Sequence, residues 1–171
     1  MSNYIRMYRP GGTFFFTVTL ADRGATLLVD RIDVLRGAYA AVAAQHPWRT
    51  EAIVVMPDHL HAVWSLPEGD ADFSTRWKKI KTRFSKGVLR RGSIGGLAPT
   101  LRVSASKRAK GEVGIWQRRF WEHTVRDEAD FAACVRYCHF NPVKHGLVER
   151  AVDWPFLSVH REIRAGRWEV A

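Results

Sequence analysis

The chain has only two cysteines among its 171 residues, Cys134 and Cys138, four positions apart. This scarcity excludes a disulfide framework and favours a reducing compartment, which we take to be the cytoplasm. A structural zinc site would need ligands other than these two thiols. The chain also lacks a signal-peptide pattern at its start and an apolar run long enough to span a bilayer, so we expect no membrane partner.

Acidic residues are scarce relative to basic ones, with 17 Asp and Glu against 27 Lys and Arg and a net charge of +10. This excess favours a polyanionic partner, nucleic acid first, although a generally basic protein would show the same balance. The length predicts one domain, residues 1–171, which we expect to be monomeric. Within it we expect an N-terminal arm at 1–12, a mobile basic loop at 90–114 and a C-terminal tail at 143–171.

The order of predicted elements is strand, helix, strand, strand, helix, strand, followed by a third helix. Aromatic and β-branched runs indicate the strands, and apolar residues at helical spacing indicate the helices. The predicted ranges are 13–20, 30–46, 48–56, 59–66, 72–89, 120–125 and 127–140, with Asp30 capping the first helix and Pro142 stopping the third. This order is typical of a ferredoxin-like α+β sandwich with helices on one face, plus an extra C-terminal helix. We expect the other face of the sheet to be free.

Two histidines separated by one leucine open the third predicted strand. Because residues i and i+2 of a strand share a face, His59 and His61 are expected to project side by side while Leu60 enters the core. Neighbouring imidazoles of this kind can hold a divalent metal ion. Two half-exposed surface histidines without a ligand are the alternative.

The third predicted helix carries Tyr137 and ends near Asn141, and positions four apart share a helix face. Two imidazoles and one amide oxygen make a mixed site with open positions, which suits Mg²⁺ or Mn²⁺. A tyrosine nearby can attack a phosphodiester and form a covalent intermediate. Taken singly, Tyr137 fits the edge of a core and Asn141 fits a helix stop, so the combination carries the hypothesis.

Three basic or mixed stretches are candidates for contacting nucleic acid. The second predicted helix has a cationic face, which is either a phosphate-binding surface or merely a solvated one. The N-terminal arm combines stacking, amide and cationic side chains that can read unpaired bases, unless it is a disordered tail. The candidates are Asn3, Tyr4, Arg6, Tyr8 and Arg9 in the arm, Lys78, Lys79, Lys81 and Arg83 in the helix, and Arg118, Arg119 and His123 before and within the fourth strand.

Five sequence blocks in a fixed order resemble the REP-associated tyrosine transposases, which belong to the single-tyrosine HUH nucleases and transposases. They are 11–18 (GGTFFFTV), 55–61 (VMPDHLH), 66–70 (LPEGD), 116–123 (WQRRFWEH) and 141–146 (NPVKHG). His59-Leu60-His61 matches the HUH motif itself. The resemblance covers nearly the whole chain, and one departure is Cys138-His139, where larger apolar residues are expected.

The resemblance implies a role for each matched residue. His59 and His61 hold Mg²⁺ or Mn²⁺, Asn141 matches the position of a third polar ligand, and Tyr137 is the nucleophile. The implied activity is that of a single-stranded DNA endonuclease and strand transferase. Its substrate is a palindromic hairpin with a GTAG-type tetranucleotide at its foot, and its products are a 5′-phosphotyrosine and a free 3′-OH.

Two other functions are compatible with parts of the sequence. A non-catalytic nucleic-acid-binding protein can share this fold and charge, although such proteins place aromatic residues rather than histidines on the open face. A metal-dependent hydrolase can recruit Glu122 and His123, or Asp58, beside the histidine pair and use activated water. Covalent capture of DNA separates the transposase-like activity from both.

Overall fold

The structure is a computed structural model that describes residues 9–91 and 114–166. These residues form four strands, five α-helices and a 3₁₀ turn at Ala151–Asp153. The strands are β1 Thr13–Thr19, β2 Arg49–Val55, β3 His59–Ser65 and β4 Trp121–Thr124. The helices are α1 Leu27–Asp30, α2 Ile32–Gln45, α3 Phe73–Arg91, α4 Glu128–Lys144 and α5 Val159–Arg164.

The four strands form one antiparallel sheet in the order β2-β3-β1-β4. This order confirms the predicted ferredoxin-like α+β arrangement. The register pairs Phe16 with Ala62 and Thr17 with His61, so successive residues of β1 and β3 point to opposite faces. Each face therefore has its own set of side chains.

One face of the sheet carries an aromatic core beneath α2 and α3. Phe14 and Phe16 from β1 and Trp64 from β3 are fully buried there. The indole of Trp64 stacks on that of Trp77 from α3, with ring centroids 4.2 Å apart and 13° between the planes. Large buried rings remove much apolar surface from water, so this face supplies a major part of the stability.

The second face of the sheet is covered, which corrects the expectation that it is free. Helix α4 packs against β2 and β3 on this side. Cys134 and Cys138 of α4 lie in a second buried cluster with Phe15, Val54 and Val63 of the sheet. The extra helix thus encloses the face that bears the histidines.

Part of the predicted C-terminal tail, residues 156–158, lies along the edge of the sheet. The Val55 amide donates to the Phe156 carbonyl (2.9 Å) and the Ser158 amide donates to the Ile53 carbonyl (2.9 Å), so residues 156–158 cover the outer edge of β2. The Trp154 indole donates to the Val55 carbonyl at 2.9 Å. Trp154 therefore anchors this part of the chain to β2.

Two predicted helix boundaries are wrong. Asp30 ends the short helix α1 and does not cap α2, whose preceding residue Arg31 makes no side-chain cap bond. Pro142 lies inside α4, and the helix continues to Lys144. A proline removes one backbone hydrogen bond from a helix, but burial of Asn141 and Pro142 against the protein favours continuation. The predicted start at Asp127 is confirmed, since its carboxylate accepts from the Asp130 amide at 2.8 Å.

Among residues 9–91 and 114–166, no helix has both the length and the apolar character needed to cross a membrane.

Gly87 sets how closely α3 approaches α2. A Cβ at this position would lie 2.5 Å from Val34 Cγ1, and a valine in a helix has little rotamer freedom with which to retreat. We therefore expect Gly87→Ala to lower the free energy of unfolding by about 1–3 kcal/mol through overpacking. Urea unfolding followed by circular dichroism measures the change.

Gly37→Ala is the matched control, because Gly37 lies in α2 and a Cβ there has no neighbour within 4 Å. This variant should gain up to about 1 kcal/mol from the better helix propensity of alanine. Equal effects of the two substitutions would contradict the close approach at Gly87.

Candidate active site

His59 and His61 lie side by side on the face of β3 that α4 covers. Their ring centroids are 4.9 Å apart, and the side chain of Leu60 between them is fully buried in the opposite core. The predicted arrangement is confirmed, but the two histidines are only 5% and 4% exposed instead of half-exposed. Burial of two imidazoles requires partners for their nitrogens.

Each histidine is oriented by a polar neighbour that takes up its Nδ1 atom. Asp58 Oδ1 lies 2.6 Å from His59 Nδ1, and the other oxygen of Asp58 pairs with Arg23 Nε at 2.8 Å. Thr17 Oγ1 lies 2.9 Å from His61 Nδ1. The second nitrogen of each ring is left for another contact, and Nε2 of His61 is buried without a hydrogen-bond partner. Carboxylate or hydroxyl support of this kind is typical of metal-binding histidines.

Electrostatics keep His61 uncharged. Burial lowers the pKa of His61 to about 3, and the neighbouring His59 and His145 add to this effect. A neutral imidazole keeps a lone pair on one ring nitrogen at physiological pH. That lone pair is what a metal ion requires.

Tyr137 of α4 lies against His61, one of the two histidines. Its ring centroid is 5.1 Å from that of His61 and 5.7 Å from that of Phe15, both in edge-to-face geometry. The Lys144 ammonium lies 5.1 Å from the centroid of the same ring. The tyrosine side chain remains 40% exposed, so a substrate can reach it.

Asn141 lies between Tyr137 and His145, one helical turn from each. The ring of Tyr137 contacts His61, and the ring of His145 lies 5.4 Å from that of His59. Positions four apart share a helix face, so Asn141 belongs to the stripe of α4 whose two ends meet the histidine pair. Its side chain is fully buried, and neither its oxygen nor its nitrogen has a hydrogen-bond partner. An unpaired buried amide is costly unless a ligand satisfies it.

These donors fit a divalent cation. Nε2 of His61 and the side-chain amide of Asn141 are buried polar groups without partners. Together with the ring nitrogen of His59 that does not face Asp58, they would make a mixed nitrogen and oxygen set. Such a set leaves positions for water or phosphate oxygens around Mg²⁺ or Mn²⁺.

Two proteins that are similar to this chain over nearly its whole length carry the name of one family. No protein-family model matches the chain. The REP-associated tyrosine transposase of Escherichia coli (strain K12) is 41% identical over 170 residues, covering 99% of this chain and 90% of the relative. A Haemophilus influenzae relative (strain ATCC 51907 / DSM 11121 / KW20 / Rd), assigned to the same family, is 40% identical over 165 residues, covering 96% and 89%. The chain belongs to the REP-associated tyrosine transposases.

A solved structure agrees with this membership. It shows a REP-associated tyrosine transposase bound to a REP hairpin, and it is 40% identical to this chain with a TM-score of 0.81. The match covers 99% of this chain and 90% of that one. The family predicted from the five sequence blocks and the α+β fold are thus confirmed, and a transposase-like, DNA-processing activity follows from the family.

A second group of metal-ligating side chains joins β4 to the start of α4. Atoms of His123, Asp130 and Cys134 all lie within 4.8 Å of one another. Asp130 Oδ2 already lies 2.8 Å from His123 Nε2 and accepts from the amide and Nε of Arg126 at 3.0 and 3.1 Å. The Arg126 and His123 bonds lower the pKa of Asp130 to about 2. With a guanidinium on its carboxylate, this group is better suited to fastening α4 to the sheet than to holding a cation.

The predicted DNA-binding residues of this family member lie on different surfaces. Lys78 and Arg83 are exposed on α3, which covers the sheet face opposite the histidines. Lys79 contacts His46 between α2 and α3, and Lys81 donates to the Gln117 carbonyl at 2.6 Å and so supports the segment before β4.

The other candidates lie nearer β4 or outside the description. Arg118 and Arg119 are exposed next to β4, His123 is half-buried against Asp130, and Arg9 donates to the Val125 carbonyl at 3.1 Å. Asn3, Tyr4, Arg6 and Tyr8 lie outside the described residues, as do residues 92–113 of the stretch predicted as a mobile basic loop at 90–114.

Sequence reasoning missed three residues around the site. Thr17 orients His61, His145 adjoins His59, and Trp121 on β4 presents an indole that is 54% exposed beside Phe15. Alternation along β1 and β4 would have placed Thr17 and Trp121 on one face once the register was known. Asn141 and His145 are four residues apart and would share a helix face. The predicted helix end at Pro142 excluded His145 from the helix, so this relation was not predicted.

The low pKa of His61 makes stability depend on pH in the metal-free protein. Its pKa is about 3 in the folded chain against an ordinary value of 6.5, so protonation favours the unfolded chain. The stability contributed by neutral His61 is complete above pH 6.5 and is lost as pH falls towards 3, at about 1.4 kcal/mol per pH unit. Urea unfolding in EDTA between pH 7 and pH 4 measures this slope.

His61→Gln should flatten this slope, because glutamine does not titrate. His139, whose pKa burial lowers to about 4, remains in both proteins and leaves a residual dependence. His46→Gln, on the other side of the sheet, is the control for loss of a histidine. Parallel slopes for the wild type and His61→Gln would contradict the assigned environment of His61.

Proposed function

We propose that this chain is a metal-dependent single-stranded DNA endonuclease and strand transferase that acts at REP-type hairpins through a covalent 5′-phosphotyrosine. The observation that carries the proposal is the contact of an exposed tyrosine, Tyr137, with His61, a buried histidine whose Nε2 atom has no hydrogen-bond partner. Nucleophile and metal ligands on facing elements are what single-step phosphoryl transfer to a tyrosine requires.

His59, His61 and Asn141 would hold the ion. Asp58 and Thr17 fix the two rings through Nδ1, so the ligand nitrogens are preset. Bound there, Mg²⁺ or Mn²⁺ supplies charge neutralisation and orientation for the phosphodiester.

Tyr137 is the nucleophile in the proposed reaction. Its hydroxyl oxygen attacks the phosphorus, the bond between phosphorus and the 3′-oxygen breaks, and the DNA is left with a free 3′-OH. The tyrosine proton leaves to solvent and the 3′-oxygen takes one from solvent. Lys144, with its ammonium 5.1 Å from the ring centroid, places a positive charge where the phosphate must approach. The phosphotyrosine bond retains the energy of the broken ester, so a 3′-OH can later attack it and rejoin the strand.

The other tyrosine in the described part of the chain is unsuited to this role. Tyr39 is bonded to Thr50 in the core on the opposite face, and burial raises its pKa to about 12. Tyr137 is therefore favoured over Tyr39 both by position and by access.

The alternatives have weaker support. Glu122 pairs across from Phe16, which places it on the opposite face from the histidines, so it cannot join them in a hydrolase site. Asp58 is already bonded to His59 and Arg23. A purely binding protein gives no reason for a tyrosine to lie against a buried imidazole whose second nitrogen has no hydrogen-bond partner.

The proposed substrate is a DNA hairpin with a short unpaired foot. Its support is the relative that was solved with a REP hairpin, the net charge of +10 and the exposed Trp121 beside Phe15. Indole faces stack on bases regardless of sequence, so Trp121 suits a nucleotide that flanks the scissile phosphate. The arm at 1–12 would read the foot bases, and we expect a cytoplasmic monomer.

Tyr137→Phe should abolish cleavage, because it removes the one attacking oxygen and little else. DNA binding should stay within about twofold of wild type. A denaturing gel of protein with labelled hairpin DNA and Mn²⁺ detects the covalent adduct, and fluorescence anisotropy measures binding. An adduct that persists in the Phe variant would move the role to Tyr8 in the arm.

His59→Ala and His61→Ala should each weaken Mn²⁺ binding by at least about tenfold, since too few protein ligands remain for a largely hydrated cation. Isothermal titration calorimetry on DNA-free protein gives the affinities. The matched control is His123→Ala, which disrupts the second group of ligating side chains instead. If His123→Ala alone reduces Mn²⁺ affinity, the ion belongs between β4 and α4.

A further inference from the structure

A groove of about 820 Å³ runs between α2 and α3, on the side of the sheet opposite the histidines. The facing side of α2 is lined by small residues, and a Cβ on Gly37 would have no neighbour within 4 Å. Among the described residues that line the groove there is no Asp or Glu. Helix α3 supplies a cationic wall, which consists of Lys78, Lys79, Arg83, Lys86 and Arg90.

The charges of this cationic wall are largely uncompensated. Lys79 contacts His46, whereas the other four side chains are exposed and have no ion pair within residues 9–91 and 114–166. Lys79 and Arg83 are four residues apart, as are Lys86 and Arg90, and like charges at this spacing destabilise a helix. A bound polyanion would remove that repulsion, so the groove suits an anionic polymer.

The dimensions and chemistry of the groove favour the backbone of a duplex. Lys78 and Arg90 are twelve residues apart on α3, so the cationic wall is about 18 Å long at 1.5 Å per residue. One strand of duplex DNA carries a phosphate every 3.4 Å or so along the axis, and the wall therefore spans about five phosphates. Thr75, Thr82 and Gln45 of the same lining can donate hydrogen bonds to phosphate oxygens. Sites for single strands add aromatic residues on which bases stack, and the described lining has none.

The groove is separate from the candidate active site. Trp77 and Phe84 of α3 are buried against the sheet, whose other face carries the histidines beneath α4. A nucleotide attacked by Tyr137 therefore cannot reach the cationic wall. The exposed indole of Trp121 lies beside Phe15 on the Tyr137 side. One side of the protein thus suits unpaired bases, and the other suits a sugar–phosphate backbone.

We propose that the groove between α2 and α3 binds the backbone of duplex DNA, so that the protein holds a second DNA segment while a hairpin occupies the side with Tyr137. The choice of DNA rests on the proposed function, but the groove does not depend on the chemistry of Tyr137. Strand transfer joins two DNA segments, and this groove would keep the second one close without reading its sequence.

The test uses full-length protein in EDTA and a short, blunt-ended, fluorescent DNA duplex without a hairpin. Fluorescence anisotropy gives the duplex affinity of the free protein and of protein preloaded with one equivalent of unlabelled hairpin DNA. Because the two surfaces share no residues, preloading should change the duplex affinity by less than about threefold. A second dye on the hairpin, in a parallel titration, shows whether it stays bound.

The double variant Lys78→Gln, Lys86→Gln should weaken duplex binding at least about tenfold near 0.1 M salt, and each lost contact should flatten the log–log salt slope by about 0.9. Arg150→Gln with Arg164→Gln is the matched control, because it removes the same charge from two exposed positions after α4. This control should leave the slope nearly unchanged. Circular dichroism checks the folding of both proteins.

The outcomes decide the proposal independently of cleavage. Loss of duplex binding in the groove variant alone, with the hairpin still bound, would support it. Equal losses in both double variants would reduce the effect to net charge and overturn the groove as a site. Displacement of the duplex by one equivalent of hairpin would overturn a second DNA segment. An equal loss of poly-glutamate binding would overturn the assignment to duplex DNA. A covalent adduct that persists in Tyr137→Phe would contradict the proposed nucleophile and leave these results as they are.

Discussion

The packing of α4 against the histidine-bearing face of the sheet is the contact on which the candidate site depends. Neither element carries the site alone, since β3 supplies the histidine pair and α4 supplies Tyr137 and Asn141. Cys134 and Cys138 join the two in a common buried cluster with Phe15 and Val63. Water is excluded as the faces meet, which accounts both for the low pKa of His61 and for the cost of leaving its second nitrogen without a partner.

One face of the sheet contributes mainly to stability, and the other carries the polar groups of the candidate site. The aromatic core under α2 and α3 contains the stacked pair of Trp64 and Trp77 and is largely apolar. The other face combines a smaller apolar cluster with the histidines, Thr17 and Asn141. Because successive side chains of β1 and β3 point to opposite faces, each side chain contributes either to the aromatic core or to the histidine-bearing face. Buried polar groups without hydrogen-bond partners lower the stability of the folded protein, and burial of the aromatic residues on the other face offsets this loss.

Much of the fold could be predicted from local patterns, whereas the covering of the second face could not. The aromatic run around Phe15 and the alternation at His59 and His61 identify strands and faces without tertiary information. The position of α4 depends on which surface its weakly amphipathic sequence packs against, and local patterns do not determine that surface. Cys138, which departs from the residue expected from the resemblance, is fully buried in this contact. The sequence predicts a helix end at Pro142 because a proline stop signal is local, whereas the burial that overrides it arises from tertiary packing. With the helix ended there, His145 is not predicted to lie on the same face as Asn141.

The segment at residues 156–158 has a consequence for how this protein behaves at high concentration. An unpaired strand edge is a template on which another chain can add a strand, and repeated addition leads to aggregates. The Val55 amide and the Ile53 carbonyl on the outer edge of β2 are hydrogen-bonded to Phe156 and Ser158. The opposite edge of the sheet is β4, which is only four residues long. Both borders are therefore poor templates for growth. A truncation that removed the C-terminal residues would uncover a seven-residue, β-branched edge, Arg49–Val55, and would turn a self-limited sheet into one open to polymerisation.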